Sequence, residues 1–145
     1  MTTRRQVVSL SIVLPVLAAA CGASPTAPAP SVQRVLRDSL EMAPGDRVYV
    51  EPLRLSFFSV TDDSRCPIDG VCFWEGDAAV HIGLAIGSGP SLPETLHTAG
   101  GGSWVDFHGI RITLIRLLPD PLAGVPIAPE DYRASFRVES LPDST

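Results

Sequence analysis

Lysine is missing from this chain of 145 residues. Its eleven basic residues are all arginine, and sixteen acids outnumber them, leaving a net charge of −5. A chain of that sign has no basic stripe to lay along a phosphate backbone, which excludes nucleic acid as a partner. Long apolar runs are missing too. The best, Val7 to Leu17, is broken by Ser9 and Ser11 and falls short of the roughly 20 residues that cross a bilayer as a helix. No later window keeps a helical period, and no internal repeat is found. The Gly-x-Ser-x-Gly turn of serine hydrolases is absent. So is a Cys-x-x-Cys redox pair, because five residues separate Cys66 from Cys72. "GSGPS" (87–91) and "AGGGS" (99–103) lack the flanking helix that a phosphate loop requires, and read as hairpin turns.

What is present begins with an export signal. Arg4 and Arg5 give a basic start, Val7 to Leu17 an apolar centre, and Ala18, Ala19 and Ala20 the small residues of a cleavage site. "VLAAACGAS" then resembles the lipobox of bacterial lipoproteins, in which a cysteine is acylated and becomes the mature N-terminus. Ala18 stands where leucine is commoner, and Leu17 lies one position further out. A plain secretory signal ending at a chance cysteine is the alternative. Acyl chains on Cys21 would anchor stably, at about 0.8 kcal/mol per buried methylene. Gly22, in place of aspartate, favours the outer membrane if the source is Gram-negative. "TRRQVVSL" resembles a twin-arginine signal, with Val7-Val8 replacing the usual Phe-Leu; paired arginines also occur in ordinary signals. The expected organisation is a signal peptide at 1–20 and a lipidated Cys21 with a Pro/Ala tether to residue 31. A folded domain follows at 32–140, with a disordered tail at 141–145. Removing residues 1–20 takes two arginines and no acid, leaving the remainder near −7.

From Val32 onward the period is two. Leu53, Leu55 and Phe57 alternate with Arg54 and Ser56, and the phase shifts at Phe58, which predicts a bulge there. Ala78 to Ile86 forms the longest apolar face. Ile110 to Leu117 switches phase after Leu114, and Tyr132 to Val138 alternates cleanly. Shorter strands are expected within Val32 to Met42 (with a short helix around Val35 to Leu40 as the alternative), at Val48–Val50, Glu94–Thr98 and Ser103–Phe107. "APGD" (43–46) marks a turn, and the Pro-rich stretch 117–131 a long irregular connection. Seven or eight short strands predict an all-β, antiparallel β-sandwich of immunoglobulin-like architecture, with a small β-barrel as the runner-up.

One stretch holds most of the chemistry: "TDDSRCPIDGVCFWEGDA" (61–78). Three cysteines leave one over in an exported protein; with Cys21 lipidated, Cys66 and Cys72 pair as a disulfide across a tight turn at Pro67 and Asp69-Gly70. Arg65 is placed to fork onto Asp62 or Asp63. Val71 and Phe73 are expected to pack on one side, Cys72 and Trp74 on the other. Trp74 is expected in the core or over the disulfide, with a solvent-facing role in a binding surface as the alternative. Gly76 breaks the strand pattern. Zinc finds only two ligands here and no neighbouring histidine. Asp62, Asp63, Asp69, Glu75 and Asp77 are hard oxygen ligands that suit calcium, though not in the ordered loop calcium sensors use; they are weak metal candidates beside the reading as solvated acids. No metal or other cofactor is expected.

This segment resembles a "DSRCP…C-x-W-x-G-x-A" signature carried by small bacterial lipoproteins of unassigned function. Asp63, Ser64, Arg65, Cys66 and Pro67, then Cys72, Trp74, Gly76 and Ala78, carry the likeness. In those proteins the signature sits between two strands, and a Pro-rich stretch ending in "DY", here Asp131-Tyr132, opens the last strand. The resemblance implies the fold and an envelope location, and brings no activity with it. His81, His97 and His108 have no recognisable catalytic partners, although His97 and His108 flank the Gly-rich turn. The expectation is a non-enzymatic, lipid-anchored binding or structural module of the cell envelope. It would meet the membrane through its lipid and an envelope protein or ligand through its loops. A calcium or small-ligand module using the acidic loop is the alternative.

Overall fold

The computed structural model describes residues 35–100 and 103–142. The expected signal peptide, Cys21 and the expected tether lie outside the described residues. Among those described there are eight strands: β1 Val35–Met42, β2 Arg47–Val50, β3 Leu53–Thr61, β4 Ala79–Ile86, β5 Leu92–His97, β6 Trp104–Phe107, β7 Ile110–Leu118 and β8 Arg133–Ser140. They form two antiparallel sheets, ordered β1-β8-β7-β6 and β2-β3-β4-β5. The residues Val35 to Leu40 that left a helix open belong to strand β1, because β1 pairs with β8 along its length.

The alternation places the core. Leu53, Leu55 and Phe57 of β3, Val80, Ile82 and Leu84 of β4, and Ala134, Phe136 and Val138 of β8 are all buried between the sheets. Phe57 and Phe136 meet edge to face across the two sheets, 6.1 Å between ring centroids. The register slips where the sequence changes phase. Ser59 pairs with His81 after Phe57 pairs with Ile82, which turns Phe58 outward; the Leu114–Arg116 slip does the same to Ile115.

Each sheet is built from neighbours in sequence, apart from the return of β8 to β1. The cyclic order is therefore that of an up-and-down barrel opened along two seams, β1/β2 and β5/β6, where no strands pair among the described residues. The sandwich is reached by meanders rather than by the Greek-key connections of immunoglobulin domains. One hairpin expectation is corrected here. β5 pairs with β4 and β6 with β7, so "AGGGS" carries the chain from one sheet to the other and closes no hairpin. "GSGPS" does close one, between β4 and β5.

The topology also sorts the loops. Connections β1–β2, β3–β4, β5–β6 and β7–β8 share one end, here called the distal end. The chain enters β1 at the opposite end, where Val35 lies across from Glu139 and the β6–β7 turn follows Phe107. Leu141, assigned above to the tail, donates its N–H to the Gly109 carbonyl at 2.7 Å, so ordered pairing reaches one residue past β8.

Candidate functional site

The signature stretch forms an arm at the distal end. The ladder of β3 and β4 runs on past both strands: Ser64 N–H donates to the Asp77 carbonyl (2.6 Å) and Cys66 N–H to the Glu75 carbonyl (2.9 Å). Cys66 and Cys72 form the expected disulfide, with their Cα atoms 6.0 Å apart, and Gly70 N–H closes the turn on the Pro67 carbonyl. Gly76 makes the close pairing possible. Its φ is +69°, and a Cβ there would sit 1.8 Å from the Ser64 carbonyl oxygen.

Arg65 ties the arm to the other sheet. It forks onto Asp63 through Nε (2.8 Å) and Nη2 (2.7 Å), as its sequence position suggested. Its remaining donors reach the carbonyls of Leu117 (Nη1, 2.7 Å) and Pro119 (Nη2, 3.0 Å) at the end of β7. Tyr132, just before β8, donates its hydroxyl to Asp63 Oδ2 at 2.9 Å. Burial opposes the charge on Asp63, but the hydrogen bonds from Arg65 and Tyr132 outweigh it and hold the carboxyl below its usual range. The Tyr132 hydroxyl is pushed up to about 12, first by burial and then by its bond to Asp63 and the charge of that carboxylate. The "DSR" and "DY" elements of the signature, far apart in sequence, thus meet in one buried network.

Two more bonds lay the β7–β8 connection beside the arm. Ile68 N–H donates to the Pro121 carbonyl, and Ala123 N–H to Asp69 Oδ1. Asp77 closes the other flank: it accepts from Thr98 Oγ1 and Ala99 N–H, and its Oδ2 lies 2.6 Å from His97 Nδ1. Burial again opposes the charge, and these partners lower the Asp77 pKa despite it. A cleft of about 210 Å³ opens between these loops, lined by Cys66, Ile68, Glu75, Thr98, Asp120 and Pro121 among others.

The five acidic candidates are therefore dispersed in their roles. Asp63 belongs to Arg65, Asp69 to a backbone amide and Asp77 to the β5–β6 connection, while Asp62 and Glu75 face solvent. Among the described residues, no three His, Cys, Asp or Glu side chains come together as a metal site. The histidines also stay apart in their partners: His81 bonds the hydroxyls of Thr61 and Thr95, His97 meets Asp77, and His108 stands edge-on to Phe107 in the β6–β7 turn.

The expected packing of the arm is corrected. Val71 and Phe73 are fully exposed and Trp74 is 80% exposed; neither face of the segment packs against the sandwich, because the arm projects beyond the strands that would cover it. Phe73 and Trp74 touch only at a tilted 6.4 Å between centroids. Ile68 is exposed beside them, as are Leu122 and Val125 on the neighbouring connection. Trp74 takes the solvent-facing alternative, while sequence reasoning missed the rest of this apolar tip, whose signal is four large apolar residues within "IDGVCFW", a loop too short to bury them in itself. Set against protein-family models, curated proteins and solved structures, the chain matches none, so what it does must be read from this arm and its network.

Proposed function

We propose that this chain is an exported, lipid-anchored, non-enzymatic binding module that engages its partner through the tip of the disulfide arm. The observation that carries the reading is the exposure of Ile68, Val71, Phe73 and Trp74 on a loop that is otherwise fully braced. Single exposed apolar residues are ordinary, but contiguous groups including Trp and Phe mark interaction sites. The lipobox-like Cys21 and the likeness of the signature to small lipoproteins support the envelope location.

The test is site-specific photocrosslinking on intact cells. A photoreactive side chain in place of Phe73 should give a discrete adduct, whereas the same group at Ser88, in the exposed β4–β5 turn, should not. Equal labelling at both positions would sink the proposal.

A further inference from the structure

The proposed role leaves the occupant of the tip open. Resting on that role, we infer that it is a protein surface with an apolar socket flanked by arginine or lysine side chains. Area is the first argument. Phe73 and Trp74 together offer about 400 Å² at ordinary aromatic side-chain areas, and Ile68 and Val71 extend the patch. That approaches the roughly 800 Å² per partner of a standard protein interface.

Charge is the second. Residues 62–78 carry five carboxylates against one arginine, and residues 119–132 carry three against none. The two loops thus hold a net −7, and −5 once Arg116, paired with Asp120, and Arg133, bonded to the Glu130 carbonyl, are counted, which is as much as the whole chain carries. Arg65 is taken up by Asp63, while Asp62, Asp69 and Glu75 on the arm, and Glu130 and Asp131 on the connection that reaches its base through Tyr132, stay exposed. An acidic rim repels an anionic lipid surface, and it sets like charges against each other in a tip-to-tip dimer. A cationic rim on a different protein satisfies it. An apolar centre inside a polar rim is also the ordinary anatomy of a protein interface.

Bracing is the third argument. The disulfide, the Gly76 contact and the Arg65 network fix the arm before binding, so little ordering remains to oppose association. A preformed tip suits a preformed socket.

The experiment identifies the adduct formed through position 73 in the full-length protein. The expected product is a protein whose crosslinked face carries Arg or Lys beside an apolar pocket. Changing Glu75→Gln, Glu130→Gln and Asp131→Asn together removes three charges and leaves the bonded carboxylates of Asp63, Asp69 and Asp77 in place. It should slow adduct formation about tenfold or more, and added salt should do the same to the unaltered arm. Three results overturn the inference while leaving a binding tip: a lipid adduct, an adduct with a second copy of this chain alone, or a protein partner indifferent to both salt and the triple change. A blue shift of Trp74 fluorescence on phosphatidylglycerol vesicles, read in a Trp104→Phe background, would also overturn it. An absent adduct removes the binding role and the inference with it.

Discussion

At the residue scale, Arg65, Asp63 and Tyr132 decide how the arm is held. Side-chain exposure of the Arg65–Asp63 pair is only 12% on each partner, and every charge in it is matched. Asp63→Asn would leave the Arg65 guanidinium without its counter-charge, and denaturant unfolding should show a loss of about 3 kcal/mol. Asp63 binds its proton less tightly folded than unfolded, so its contribution is present above about 3.8 and fades as pH falls through the lowered folded value. Tyr132 has the opposite sign. It holds its proton more tightly when folded, so its contribution is complete below the unfolded value near 10.0 and is lost as pH rises to about 12. Between those values stability should drop by about 2–3 kcal/mol, and Tyr132→Phe should abolish that drop. With no lysine to titrate in the same window, the comparison is unusually direct. Gly76 is the other decisive residue. Gly76→Ala drives a Cβ into the Ser64 carbonyl at a left-handed φ, and the melting temperature should report a cost of about 2 kcal/mol or more.

At the scale of elements, the arm is a hairpin extension stapled near its end. Changing both Cys66 and Cys72 to serine should cost about 2 kcal/mol, since the closed loop is short. Because the Arg65 network lies outside that loop, the sandwich should still fold. Limited proteolysis should then cut between residues 66 and 74 and leave the strands whole; cleavage within β3 or β4 would show that the staple supports the sheets themselves. How much of this was legible follows from range. Strand alternation and the phase slips at Phe58 and Ile115 are local, and seven or eight strands and these two slips could be read from them, whereas the register shifts in β1 could not. The fork of Arg65 on Asp63 is also local, two residues apart. Tyr132 lies 69 residues from Asp63, and nothing short-range links them. "AGGGS" was misread because a Gly-rich turn looks the same whether it reverses within a sheet or crosses to the next. Phe73 and Trp74 were misplaced for a related reason: periodicity reports that a face is apolar, not whether a second sheet extends far enough to cover it.

At the scale of the molecule, the proposed anchor and the arm should serve separable purposes. The core of the sandwich is one continuous cluster that includes the Phe57–Phe136 contact, and the arm adds no buried apolar side chain of its own beyond Ala78. Exchange of Phe73 and Trp74 for serine should therefore leave folding stability within about 0.5 kcal/mol, the usual range for surface positions. With the photoreactive group kept at position 73, Trp74→Ser alone should remove the crosslinked partner. Anchoring should respond in the converse way. If Cys21 carries the proposed lipid, Cys21→Ser should shift the protein from the membrane pellet to the soluble fraction with its fold and its tip intact, because acyl chains would alone supply membrane affinity. Double exchange at Phe73 and Trp74 should leave sedimentation with the membrane unchanged. Membrane association that survives Cys21→Ser would argue against the lipid. Association lost on changing the tip would mean that the aromatics, not the anchor, meet the bilayer, and an acidic rim around a membrane-seeking tip would then need a different explanation.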